Sequence, residues 1–435
     1  MKRNHVRSVR VPHPIPTSHG GSDVRRPTRL LAVFCGATAL LAGCASAPSE
    51  APTAAPDPAD WPAVLDAARG QTVDWYMYTG DEAVNGVVEG YVAPRLEQEF
   101  GIELNVVSVA DTADAVNKVL AERQAGRAGS GTVDAIWLNG ENFSTGKQAD
   151  LWACGYPESL PNAQYVDLTD PAVATDFGTP VEGCEAAWQQ AASALVYDSA
   201  QLGEADVASL DALSEWARAN PGRFTYPAPP DFTGSMAVRT FLYDTVEDPA
   251  ALAGEFDPAT FAPAADALWT RLNDLEPALW RGGATYPTSQ DAVEQLFATG
   301  EVAAYLTYGP GTVAAKVADG VYPAGTRTAV PSPGNIANTS YLAIPADAAD
   351  RAAALVLANL LQDPQTQLRF FADGGIYPVI DLDRVPAEVR AEFEAVDLGE
   401  SVLPLDELTA STLPELDTGY ATAVEDGWTA QVLQR

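Results

Sequence analysis

Histidines and carboxylates decide which chemistry is open to this chain of 435 residues. The three histidines, His5, His13 and His19, all precede residue 20. A leader removed on export would leave a mature protein without imidazole. That excludes Ser-His-Asp and Cys-His nucleophilic catalysis, general-base histidine and His-containing zinc sites. Paired carboxylates remain, or no bond-breaking chemistry at all. Acid is abundant: 59 Asp and Glu stand against 25 Lys and Arg, for a formal net charge of −34. Seven of the basic residues lie before Cys44 (Lys2, Arg3, Arg7, Arg10, Arg25, Arg26, Arg29), with Asp23 the one acid there. The rest of the chain therefore holds 18 basic and 58 acidic groups. A phosphate backbone needs clustered Lys and Arg, so no nucleic-acid partner is expected.

The remaining candidates are binding residues in loops. Asp81, Glu82, Asn139, Glu141, Asn142, Asp231 and Thr233 sit in short polar stretches containing Gly or Pro, and Tyr308 adjoins Gly309-Pro310-Gly311. Taken singly, such residues make turns or a solvated face. Trp75, Trp137, Trp188, Phe232 and Tyr308 offer rings for a cation or a heterocycle, or equally for a core. No Tyr-Tyr pair occurs.

The first 43 residues read as an export signal. A basic stretch leads into the apolar run Leu30–Gly43, too short for a comfortable membrane span. Leu41-Ala42-Gly43-Cys44 resembles a bacterial lipobox, which makes Cys44 the expected lipid attachment site; the alternatives are a short anchor or an ordinary signal peptide. Residues 44–69, rich in Ala, Pro and Ser, read as a flexible tether and linker. Cys154 and Cys184 then remain as one pair in an oxidising compartment, expected as a disulfide; the alternative is two unpaired buried thiols.

These loops need a scaffold, and the pattern from residue 72 supplies it. Thr72–Tyr78, Ile102–Val109 and Val133–Leu138 read as strands. Ala83–Phe100 and the stretch after Asp111 read as helices. That β-α-β-α-β run predicts a parallel sheet covered by helices. A strand-like crossover, Ala186–Tyr197, leads to a second region with a short strand at Arg223–Tyr226, a helix from about Met236 to Asp244 and a strand at Val302–Tyr308. A strand at Ser340–Ile344 and helices at Asp347–Leu361 and Asp363–Phe371 follow. In open α/β sheets ligands lie beyond the carboxyl ends of strands, where the loops named above fall.

The order of these parts, with VDAIWLNGENF (133–143), GTPVEG (178–183), NPGRFTYPAPPDFTGS (220–235), GEVAAYLTYGPG (300–311) and LLQDPQTQLRFF (360–371), resembles the extracytoplasmic solute-binding lipoproteins of ABC importers. The likeness is to the type II class of thiamine, polyamine and iron(III) binders, and within it to the YnjB-like branch, over about residues 70–390. It implies an α/β, two-lobed periplasmic-binding-protein-like fold, with discontinuous lobes joined by a strand hinge near Ser193–Tyr197 and Ser340–Ile344. Lobe one is placed at 70–192 with part of 340–435, lobe two at 193–339, and the return strand and C-terminal helices at 340–435. It implies solute capture between lobes and delivery to a permease and its ATPase partner. A monomer without cofactor, metal or catalysis, held on the cell membrane through Cys44, is expected. Iron(III) binders of this class commonly use adjacent tyrosines, so their absence disfavours iron. The expected pocket joins Asp81, Glu82, Asn139, Glu141, Asn142 and Trp188 to Asp231, Thr233 and Tyr308. Its acids favour a cationic solute, thiamine-like or polyamine-like. The competing reading is a secreted carbohydrate-active lipoprotein that uses two carboxylates.

Overall fold

The computed structural model describes residues 56–435, apart from positions 110, 253, 409 and 435. The leader 1–43, Cys44 and the start of the tether lie outside the described residues.

Two sheets organise the chain. In the first, β1 (Thr72–Tyr78), β2 (Glu103–Val109) and β3 (Ala135–Leu138) pair in parallel, with β1 central. The order of the sheet is β11 (Thr412–Leu413), β10 (Asn335–Ala343), β3, β1, β2, and β6 (Ala186–Ala192) also pairs with β10. The helix between β1 and β2 runs from Glu82 to Phe100 with two π-type stretches, and Gly101 ends it at φ 70°. A left-handed residue at that position suits glycine. Helix Arg351–Leu361 is buried on nearly every face, and Leu355, Leu357 and Leu361 share a core with Trp75 and Ile344.

Two cysteines brace this sheet's far side. Cys154 and Cys184 form a disulfide, and Gly155 N–H donates to Gly183 O at 2.7 Å beside it. Closing a loop of 30 residues contributes about 3–4 kcal/mol in the chain-entropy model. Between the two cysteines lies a two-residue hairpin, β4 (Thr175–Asp176) and β5 (Thr179–Pro180).

The second sheet is antiparallel and small. Here β7 (Ala194–Asp198) lies between β8 (Ala304–Thr307) and β9 (Thr326–Ala329). Its core joins Leu195 and Leu306 to Phe224, Tyr226, Met236, Phe241 and Trp428.

Several expectations change. The crossover is two strands, β6 (Ala186–Ala192) and β7, because Ser193 turns aside. Its N–H donates to Ile336 O at 2.8 Å and its Oγ accepts from Ile336 N at 2.9 Å. The strand expected at Ser340–Ile344 is the end of β10 (Asn335–Ala343). Asn335, Asn338 and the nearby Pro333-Gly334 disguised its first half as loop. Residues 340–343 therefore lie within the first sheet, and the return crossing precedes β10, at 330–334. Arg223–Tyr226 forms one bridge, Phe224 to Ala304, instead of a strand, since Pro227 has no N–H to continue it. The linker also ends sooner than 69. Trp61–Ala68 is helical, capped by Asp60, with Val64 and Ala68 buried. Lastly, β11 (Thr412–Leu413) joins β10, after which helix Thr418–Trp428 packs into the second sheet's core.

Candidate functional site

The loop after β1 carries the first part of the site. Gly80 has no side chain, and a Cβ there would fall 1.9 Å from the hydroxyl of Tyr78. Glycine thus lets the Tyr78 ring fold back over its own backbone, where 46% of the residue stays exposed. Asn85 donates to Thr79 O at 2.8 Å and holds the turn, while Asp81 caps the following helix through Ala83 N and Val84 N. Glu82, in the first turn, is exposed. Burial raises the Tyr78 phenol pKa first, and the nearby carboxylates of Asp291, Asp81, Asp231 and Glu294 raise it further. The Tyr78 phenol therefore feels charge both from its own loop and from the 231–294 region.

The opposing wall begins at Asp231. It is the N-cap of helix Phe232–Tyr243 and accepts from Gly234 N at 2.9 Å. That helix starts earlier than the sequence pattern suggests, so Thr233 is buried in its first turn. Burial is the first cause raising the Asp231 pKa, partly offset by the N–H of Gly234, with Asp291 raising it further. Phe232 is 45% exposed and lies 5.1 Å from the Tyr308 ring and 6.3 Å from Phe177.

Behind these rings lies a charged network. Arg239 is 1% exposed. Its guanidinium donates to Ser235 Oγ at 2.5 Å and to Glu415 Oε1 at 3.1 Å, and sits 5.5 Å over the Phe177 ring. Tyr308 OH also donates to Glu415. Ser235 donates to Glu425 at 2.6 Å. Burial raises the Glu425 pKa first; Arg239 lowers it and Glu141 raises it. Arg239 Nε and Glu415 Oε2 are buried without a partner.

The loop after β3 closes the floor. Gly140 N–H donates to both oxygens of Asp176, at 2.7 and 2.8 Å. Asn139 turns toward β10 and donates to Asn338 Oδ1 at 2.9 Å. Glu141 opens helix Glu141–Gln148 and is exposed, and Asn142 follows it half-buried.

Trp188 is placed elsewhere. It is 1% exposed and packs edge-on against Trp75, Trp137 and Phe370 at 5.1–5.7 Å. It belongs to the first sheet's core, because on β6 its side of the pleat faces the covering helices. The network also holds residues that the loop rule passes over: Tyr78, Phe177, Arg239, Asp291, Glu415 and Glu425. Of these only Tyr78 and Phe177 had a visible signal, Tyr78 two residues before Gly80 and Phe177 directly before Gly178. Among the described residues, no group of three or more His, Cys, Asp or Glu is placed to hold a metal ion, and no helix is long and apolar enough to cross a membrane.

Two sheets of different topology, linked by crossing strands with polar and aromatic loops between them, define a two-lobed binding protein of the periplasmic type. The comparisons agree. Residues 91–382 match the bacterial extracellular solute-binding protein family, and the chain belongs to it. It is 37% identical over 372 residues to protein YnjB of Escherichia coli, covering 85% of this chain and 93% of that one. Its fold is similar to a spermidine/putrescine ABC transporter substrate-binding protein from Streptococcus pneumoniae, with TM-score 0.58, 14% identity and coverage of 83% and 98%. It is also similar to a periplasmic thiamin binding protein, with TM-score 0.54, 16% identity and coverage of 84% and 96%. The family sets the chain outside the cytoplasm and gives it a role in transport.

Proposed function

We propose that this chain captures a small cationic organic solute, thiamine-like or polyamine-like, between its lobes and delivers it to an ABC permease and its ATPase partner. Tyr78 supports the charge of the solute. Its ring is exposed, and the carboxylates of Asp291, Asp81, Asp231 and Glu294 all raise the pKa of its phenol, Glu294 being paired with Lys316 at 2.6 Å. An exposed aromatic face in a negative field attracts a cation and disfavours an anion. The lobes fall at about 70–192 with part of 335–435, and 193–334, with helix Thr418–Trp428 added to the second. The binding residues are Asp81, Glu82, Glu141, Asn142, Asp231, Thr233 and Tyr308, together with Tyr78, Phe232 and Asp291, while Asn139 shapes its loop from below.

Asp231→Asn tests the charge without disturbing the helix, because Asn caps as well as Asp. A charge-assisted hydrogen bond contributes about 1.5–3 kcal/mol, so the variant should bind its best cation roughly tenfold or more weakly. Calorimetry with thiamine and spermidine on one side, and inorganic phosphate and a sulfonate on the other, decides it. Tight phosphate binding with no response to either cation would overturn the charge reading and leave the family intact.

Lipid attachment at Cys44 completes the proposal by holding a monomer at the membrane beside its permease. Cys44→Ser should leave the leader unprocessed or release the chain into the medium. Membrane association and mass identical to the parent would end that part.

A further inference from the structure

The hairpin Thr175–Pro180 breaks a local rule. A two-residue turn with both central residues at positive φ normally takes Asn-Gly or Asp-Gly. Here the pair is Phe177 at φ 43° and Gly178 at φ 75°. A bulky side chain in the left-handed region is strained, and such strain persists where the surroundings over-determine it. The surroundings of Phe177 come from both lobes. Its ring lies against Gly140, where an added Cβ would fall 3.3 Å from it. It also lies 6.3 Å from Phe232 and under the Arg239 guanidinium. Its carbonyl accepts from Thr418 N at 3.3 Å, and Gly178 abuts Asp417 so closely that a Cβ would fall 2.9 Å away. The other end of the hairpin is fixed to the first lobe. Asp176 holds Gly140 N–H, Lys147 donates to Pro180 O, and the Cys154–Cys184 disulfide follows at once.

We propose that this hairpin is a latch: rooted in the first lobe, it inserts Phe177 between Gly140 and the Phe232–Arg239 face of the second. The latch ties the Gly140-Glu141 loop to the C-terminal segment at 415–418, so the two walls of the cleft move as one when it is engaged and part when it is not. This rests on the two-lobed fold and not on the identity of the solute. It gives a physical reason for keeping an aromatic residue in a turn that favours Asn.

Two variants test it while sparing the fold. Phe177→Asn gives the turn its preferred residue and removes the ring. Thr418→Pro removes the amide that meets Phe177 O, at the first position of its helix, where proline is well tolerated. Full-length protein without added solute is compared with parent by small-angle X-ray scattering and amide exchange. In Phe177→Asn the radius of gyration should rise, and exchange over 137–144, 230–243 and 412–420 should accelerate roughly tenfold or more, with β1 and β2 unchanged. Thr418→Pro should shift the same segments by less. Scattering and exchange equal to parent in both variants, or acceleration spread evenly over the chain, would overturn the latch.

Discussion

Asp176→Asn is expected to remove much of the loss of stability as pH rises from about 4 to 8. The Asp176 carboxyl is 1% exposed, and burial pushes its pKa up to about 8 despite the opposing bond from Gly140 N–H. In the unfolded chain the same group ionises near pH 3.9. Between those values the folded state holds a proton that the unfolded state has released. Stability therefore falls as pH rises through this window and levels off above the folded pKa. A shift of this size is worth about 5–6 kcal/mol in full, of which about 3–4 kcal/mol falls between pH 5 and pH 8. Asn keeps an oxygen for Gly140 N–H and has nothing to ionise. Denaturant unfolding at pH 5 and pH 8 measures the effect: the parent should lose several kcal/mol more than the variant across that interval. Parallel losses would show that Asp176 is ionised without penalty. Glu185 adds in the same direction, since both its oxygens are buried without partners and burial, then Asp176, raise its pKa. Asp176→Asn with Glu185→Gln should be flatter still.

Neither buried acid was distinguishable in the sequence, where 58 carboxylates follow Cys44 and most are solvated. What was legible had a period or a punctuation mark. The β1-helix-β2-helix-β3 run showed because strands rich in Val, Tyr and Ile alternate with helices ended by Gly101 and capped by Asp111. The loops at Asp81, Glu141 and Asp231 showed because they follow strands or a Pro-rich turn. Their exact roles did not show: Asp231 begins a helix instead of ending a loop, and local pattern cannot separate an N-cap from a ligand. Trp188 misled because a tryptophan on a strand has the same local signature whether it faces a cleft or a core. Only long-range packing against Trp75 and Phe370 decides that. The largest omission was the segment after residue 400. Glu415 reaches Arg239, and Glu425 reaches Ser235, across more than 170 residues of sequence, and no local period encodes such a meeting.

That meeting sets the second large expectation. Arg239→Met should cost about 3–5 kcal/mol of stability, because it strands a buried carboxylate and does more than delete a contact. Only 2% of the Arg239 side chain and 7% of the Glu415 side chain are exposed, so neither charge is relieved by water when the other is lost. The loss should be partly repaired by Glu415→Gln in the Met background, since the amide is neutral and can still accept from Tyr308. The double-mutant cycle then gives a coupling of 0.5–3 kcal/mol or so between the pair. Arg239→Lys should restore only part. The flat guanidinium reaches Ser235, Tyr308 and Glu415 at once and stacks on Phe177, whereas an ammonium is a point charge that cannot do all four. Denaturant titrations of Arg239→Met, Glu415→Gln, the double variant and Arg239→Lys measure this. A Met variant within about 1 kcal/mol of parent would mean the pair behaves as an exposed salt bridge. If the larger cost holds, it falls where Phe177 crosses from one lobe to the other. The residue that neutralises the second lobe's buried acids would then also be the surface against which the first lobe closes.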